Sequence, residues 1–406
     1  MRMETINRGK RILLVIFFLI ADHSFSQTWN QINDFPANER DDGTVFTIGN
    51  YSYCGTGMTP WWSILGDFYK FDHNQETWEP IANLPSGKER QYASGFSKNG
   101  KGYLFGGYNG TTFLNDLWQY DTLTNTWNEL AALPAAGRSG ASCFVIGDTA
   151  YILGGKSSLQ SSLSEVWAYN MSNNSWVQKT NLPFGCRWRA SSIGINNIGY
   201  LGFGKDEANQ SSSDFYSYNA TTDSWAPIAT FPGDGRTYAG IEVLNAKLYI
   251  MFGINDSSVF YSDCWEYNPL GNTWSLVNNL PSTARRGGVA FSSSNSIYYT
   301  SGINENLNRL KETWRFSLPA ELDGVQFNSL NIYPNPNKGQ FSVYIDSPEI
   351  FDVQISDIHG KIVKQISKIQ LNHELNIDIS ELENSLYIIR AISGAQNFQK
   401  RITVNK

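Results

Sequence analysis

A Thr or Ser followed by Trp returns every 49 residues along most of this chain, at Trp29, Trp78, Trp127, Trp176, Trp225 and Trp274. A fixed period of that length means an architecture of stacked, equivalent units rather than one irregular core. Each Trp is followed seven residues later by Pro36, Pro85, Pro134, Pro183, Pro232 or Pro281. A second aromatic register keeps the same spacing: Tyr69, Trp118, Trp167, Tyr216, Trp265 and Trp314.

One unit reads as four strands. In the third, Gly140 to Ile146 is small and apolar and suits an innermost strand, and Ala150 to Gly155 is a second strand that ends in two glycines able to turn the backbone. Ser164 to Tyr169 alternates apolar and polar residues as a third strand. A polar turn at Asn170 to Asn174 then leads to an outer strand from Trp176 to Thr180. Such a unit cannot bury both faces alone, and radial stacking into a β-propeller solves this. The ends give the number of blades. Thr28 to Ile32 is an orphan outer strand, whereas Arg286 to Phe316 holds only three strands. Placing the first beside Trp314 completes a sixth blade, so residues 27–319 are expected to form a six-bladed propeller closed by the N-terminal strand.

Outside that span the rhythm stops. Arg2, Arg8, Lys10 and Arg11 precede an apolar run from Ile12 to Ala21 that is too short to span a bilayer, and small residues surround Ser26. Residues 1–26 therefore read as a signal peptide. Residues 320–326 read as a linker. Residues 327–406 contain several short β-type runs and a hairpin glycine at Gly360, as expected of a small seven-stranded sandwich.

The glycine pair, the Tyr or Trp about fourteen residues later, the polar turn and the Trp-to-Pro spacing together resemble kelch repeats. LFGGYNG, NDLWQYD and NTWNEL of blade two carry the resemblance best, with blade three. Blades one, four, five and six keep the second Gly and lose the first. NIYPNPNKG (Asn331 to Gly339), HGK (His359 to Lys361), LYIIR (Leu386 to Arg390) and the terminal KRITV resemble the type A sorting domain of type IX secretion, with Ser385 where a Gly is usual. The resemblances imply an all-β chain: a six-bladed kelch-type β-propeller followed by a β-sandwich sorting domain. They also imply a partner in the type IX machinery for residues 327–406, and a protein released from, or attached to, the outer surface of a Gram-negative cell.

The chemistry is bounded by what is scarce. The net charge of −6 leaves no bulk basic surface for nucleic acid. The propeller contains a single histidine, His73, read as a solvent-exposed turn residue, so neither a copper site of the galactose-oxidase type nor a Ser-His-Asp triad can be assembled. Cys54, Cys143, Cys186 and Cys264 have no metal-site spacing and are expected as free thiols. No catalytic residue, metal ligand or cofactor is assigned.

Candidate binding residues come from the segments joining the blades. Arg40, Arg90, Arg138, Arg187, Arg236 and Arg285 recur once per blade, with Arg189 and Arg286 in addition. A ring of guanidinium groups at the channel mouth would attract carboxylates or sulfates. Arg138 and Arg236 best match the position that lines the ligand pocket in related kelch domains. The repetition has a second reading, in which each Arg holds neighbouring carbonyls or acids such as Glu39, Asp41 or Asp234. Trp61, Trp62 and Trp188 are the tryptophans that the repeat leaves unexplained, and they fall on the same face as the arginines, suited to stacking on a sugar or anchoring a peptide. Tyr92, Tyr108, Tyr238 and Tyr261 could extend that face.

The expectation is a non-catalytic module that binds a carbohydrate or a protein. Two alternatives stay open: a structural component of a surface assembly, and a mutarotase or epimerase on sialic or other acidic sugars, which also use six-bladed kelch propellers. Catalysis would need an acid or base near the mouth, where Glu39, Asp41, Asp42 and Glu89 are available.

Overall fold

The structure is a computed structural model and describes residues 28–318, 330–344, 350–357, 360–370, 375–393 and 396–406. The signal peptide and linker read from the sequence lie outside the described residues. The chain forms two compact units that divide after Pro319.

The first unit is six four-stranded antiparallel sheets. Blade three is typical: Ser142–Ile146 lines the centre, followed outward by Thr149–Leu153, Val166–Asn170 and Ser175–Lys179. Blade six takes its outer strand from the other end of the unit. Thr28–Ile32 pairs with Thr313–Ser317, setting Trp29 opposite Phe316 and Gln31 opposite Trp314.

Three repeated devices couple neighbouring blades. The first is the Trp register. The indole N–H groups of Trp78, Trp127, Trp176 and Trp274 donate to Asn33, Ala82, Ala131 and Ala229, each 45 residues upstream in the preceding blade. Trp29 makes the same bond to Asn278, the equivalent position once the ring has closed. The second is the outer turn: Asn125, Asn174 and Asn272 accept hydrogen bonds both from a blade tyrosine and from the backbone N–H of the previous blade. The third is at the centre. Ser94, Ser142 and Ser191, at the head of their inner strands, each donate to a carbonyl of the next blade at 2.7 Å.

Packing between blades is aromatic against glycine. Phe46 and Phe144 of the inner strands fill the space where a side chain at Gly102 or Gly199 of the next blade would stand. Elsewhere the fold tolerates the loss of a glycine. Where the first Gly of the pair is missing, Thr56, Phe203, Phe252 and Ser301 keep the left-handed backbone, with φ between 59° and 66°. For bulky residues this costs on the order of 1–3 kcal/mol. Full burial of Phe203 against Phe215 and Phe231, and of Phe252 against Trp29 and Tyr299, offsets it.

His73 departs from expectation. It is buried, its Nε2 lies 2.9 Å from Ser52 Oγ, and its ring stacks on Tyr298 of blade six. Burial lowers its pKa despite the opposing pull of Asp72. The turn is exposed as a whole, but this position faces the closing seam of the ring. The four cysteines are free thiols.

The second unit has seven described strands in two sheets, one of three strands and one of four. Their facing sides bury Phe341, Val343, Phe351, Val353, Ile377, Ile389 and Ile402. Among the described residues no helix is long and apolar enough to cross a membrane.

Candidate functional site

The recurrent arginines lie inside the propeller wall, not at its mouth. Arg90, Arg138, Arg236 and Arg285 are at most 1 % exposed, and Arg40 and Arg187 are buried as well. Each faces an acid of its own blade, 26 or 27 residues downstream: Asp67, Asp116, Glu165, Asp214, Asp263 and Glu312, at 2.6–2.7 Å. Four of them also donate to a carbonyl at the end of the second strand, those of Thr56, Gly106, Gly154 and Phe252. Burial alone would raise the Asp116, Glu165 and Glu312 carboxyls, but hydrogen bonds hold them below the ordinary value, from the arginine first at Asp116 and Glu165 and from the Trp314 indole, then Arg285, at Glu312. The partners are thus not Glu39, Asp41 or Asp234. The Arg fastens the joining segment to the third strand, so Arg90, Arg138, Arg187, Arg236 and Arg285 present no guanidinium to the channel mouth.

The mouth is built two residues further on. Asp42, Tyr92, Gly140, Arg189, Tyr238 and Gly287 follow the six arginines at that offset and all adopt left-handed backbone, with φ between 56° and 69°. Their main chains link head to tail. Asp42 N–H donates to Gly287, Tyr92 to Asp42, Gly140 to Tyr92 and Arg189 to Gly140, at 2.6–2.9 Å. One residue from each blade therefore surrounds the mouth, and its identity varies from blade to blade.

These residues line a pocket of about 150 Å³. It shares Gly43, Ala93, Ala141, Ala190 and Ala239 with the central channel, a space of about 460 Å³, so the mouth opens into the channel. The channel is lined by small and hydroxylated residues, by apolar ones such as Val45, Val145, Ile193 and Ile241, and by one carboxyl, Glu242, which accepts a hydrogen bond from Ser292 at 2.7 Å.

Charge is concentrated at the mouth. The Arg189 guanidinium lies 4.1 Å from the Tyr92 ring centre, 3.8 Å from that of Tyr238 and 4.0 Å from that of Trp188. Arg286 lies 4.4 Å from the Tyr238 ring and 3.9 Å from Asp41. Asp41 is held by Arg309 at 2.5 Å. Burial, then the Asp41 charge, raise the Asp42 carboxyl to about 7, against the pull of Arg189, Arg286 and a Tyr92 hydrogen bond. Four buried polar atoms here have no hydrogen-bond partner among the described residues: Asp42 Oδ1, Arg189 Nε, Arg286 Nη1 and Trp188 Nε1. Buried polar atoms are nearly always satisfied, and Asp42 and Arg189 are the two of these residues that line the pocket, so their free atoms are where an outside group would bond.

Of the other expected residues, Trp61 and Trp62 are 71 % and 74 % exposed, at the tip of the loop between the second and third strands of blade one. Trp188 is half-buried between Lys156 and Arg189 rather than free for stacking. Tyr108 bonds its own loop at Gly110, and Tyr261 donates to Asp234. The sequence reading offered Asp42, Tyr92, Arg189 and Tyr238 as residues of this face; what it did not show is that all four occupy one position, two after the recurrent Arg.

Residues 90–134, 137–183 and 235–281, in blades two, three and five, match the kelch motif. Residues 331–405 match the secretion system C-terminal sorting domain. No curated protein matches the sequence. Among solved structures, that of YjhT superposes with a TM-score of 0.62 at 17 % identity, covering 71 % of this chain and 98 % of that one. A likeness at that identity speaks for the fold alone. The chain is a kelch-repeat β-propeller joined to a secretion system C-terminal sorting domain, which marks it for type IX export to the cell surface or beyond.

Proposed function

We propose that the exported propeller binds a small acidic carbohydrate at the channel mouth. The observation that carries this reading is the pair of unbonded polar atoms on Asp42 and Arg189, which line a pocket together with Tyr92 and Tyr238, while Arg286 lies against the Tyr238 ring. Two arginines suit a carboxylate. Tyrosine hydroxyls and an aspartate suit the hydroxyls of a sugar.

The charge balance sets the pH dependence. With Asp42 ionised, Arg189, Arg286 and Arg309 face two carboxylates. Once Asp42 takes a proton, they face Asp41 alone. The carboxyl titrates near 7, so an anion binds more tightly at pH 6 than at pH 8. Isothermal titration of the full chain with galacturonate, glucuronate and N-acetylneuraminate tests this. Micromolar to millimolar binding that tightens at pH 6 and vanishes in Arg189→Gln is expected. Binding with no pH dependence, or retained in Arg189→Gln, would refute the assignment.

A second reading is favoured by the same carboxyl. An acid poised near neutrality is suited to proton transfer, as ring opening and closing of a sugar anomer requires. Exchange NMR between anomers of the bound sugar separates the two: catalysed exchange lost in Asp42→Asn speaks for turnover, and exchange at the buffer rate for binding alone.

A further inference from the structure

We propose that Trp61 and Trp62 form a second sugar subsite, so that the ligand of this face is an acidic oligosaccharide rather than a single sugar. The inference rests on the mouth binding an acidic sugar.

In blades one, two, four, five and six a bridge closes a short hairpin between the second and third strands. In blade one, Met58 bridges to Asp41 on one side and to Ile64 on the other, so the hairpin stands on the residue next to Asp42. Its tip is fixed by hydrogen bonds of Thr59 N–H to Ser63, Trp62 N–H to Thr59 and Ser63 N–H to the Thr59 hydroxyl, at 2.9–3.2 Å. Ile64 packs toward Gly110 of the neighbouring blade. Trp62 sits at φ +64°, which is unusual for a bulky side chain and persists only where the surroundings impose it. The hairpin therefore holds two indoles in solvent by construction.

The underside of Trp62 is occupied. The Arg309 guanidinium lies 5.1 Å from its ring centre, and Asp41 clamps that guanidinium from the mouth side. One indole face is thus backed by a cation and the other is open. The chain of contacts Trp62–Arg309–Asp41 runs from the platform to the pocket rim without a gap.

The size of the platform favours a sugar over a protein. Two tryptophans exposed to 71 % and 74 % offer about 350 Å² at most, since a whole indole side chain contributes no more than roughly 250 Å². A stable protein interface needs about 800 Å² per partner. On the blade-two side the tip Asn109 to Thr112 is polar and internally bonded, and on the blade-six side the tip adds Leu307 alone, so the patch stays below that size. A flat apolar area of this extent next to an arginine-lined pocket matches the ring face of a sugar whose acidic neighbour fills the mouth.

The test compares galacturonic acid with its linear trimer, titrated against the full chain and its Trp61→Ala, Trp62→Ala and Arg189→Gln variants. The trimer is expected to bind the unaltered protein more tightly than the monomer. Either Trp variant should weaken the trimer about fivefold or more, the loss expected of an aromatic anchor, and leave the monomer unchanged. Arg189→Gln should abolish both. A trimer affinity that survives in both Trp variants while the monomer still binds overturns the subsite and spares the mouth. Failure of both probes on the unaltered protein overturns the mouth reading and this inference together.

Discussion

Replacing Arg90 by Ala separates the wall from the mouth. Arg90 is fully buried and makes four hydrogen bonds: Nε to Lys88 at 2.9 Å, Nη1 to Gly106 at 3.0 Å and to Asp116 at 2.7 Å, and Nη2 to Asp116 at 2.9 Å. Asp116 is 8 % exposed and its other partner is the Trp118 indole. Arg90→Ala therefore leaves a buried carboxylate without its cation. Breaking a buried pair in this way costs about 3–5 kcal/mol. In a domain of this size each kcal/mol lowers the melting temperature by roughly 2–4 °C, so a fall of about 6–20 °C is expected. Arg189→Gln breaks no close ion pair but takes the cation from the Tyr92, Trp188 and Tyr238 rings, so it should melt lower by less than Arg90→Ala while losing the acidic sugar. The double variant Arg90→Met/Asp116→Leu should recover most of the loss, because no charge is then left buried. The assay is thermal unfolding at one scan rate, with uronate titration of each variant below its transition. An Arg90→Ala protein that melts normally but no longer binds would refute the structural role given to the six arginines.

Two further outcomes follow from particular side chains. Burial raises the Glu242 carboxyl in the channel to about 7 from an ordinary 4.5, so the folded protein loses stability as pH rises from about 4.5 to 7. Glu242→Gln should then be more stable by up to about 3 kcal/mol at pH 8 and unchanged at pH 4, and urea melts showing an equal offset at both pH values would contradict the burial argument. Trp29 closes the ring against Phe252 and Phe316, at 5.6 Å and 5.1 Å between ring centres. Trp29→Ala should cost about 3–5 kcal/mol, and a melting curve unchanged by it would mean that the N-terminal strand does not hold the sixth blade.

The repeat period determined most of the architecture because it records local physics. Alternation along a strand, a turn residue and a Trp that bonds the preceding blade are short-range demands, met again every 49 residues. The orphan strand Thr28–Ile32 and the three-stranded last unit then leave one closure, and the sorting domain is written in its own motifs. Repetition alone misleads about function, however. The Arg that recurs in every blade does so because every blade needs the same internal clamp. Its acids, Asp67, Asp116, Glu165, Asp214, Asp263 and Glu312, recur at the same 49-residue interval and are legible in the sequence, but only the fold shows that each pair is closed inside the wall. Only the folded ring shows which side chains face the mouth. Asp42, Arg189, Tyr238 and Arg286 come from blades one, four, five and six, and a left-handed turn that no glycine announces at three of these positions sets the direction of the first three. His73 has the same cause: its burial comes from ring closure against blade six, a contact between residues more than two hundred positions apart. The period specifies what each blade repeats, and the closed ring decides which of the differences between blades meet.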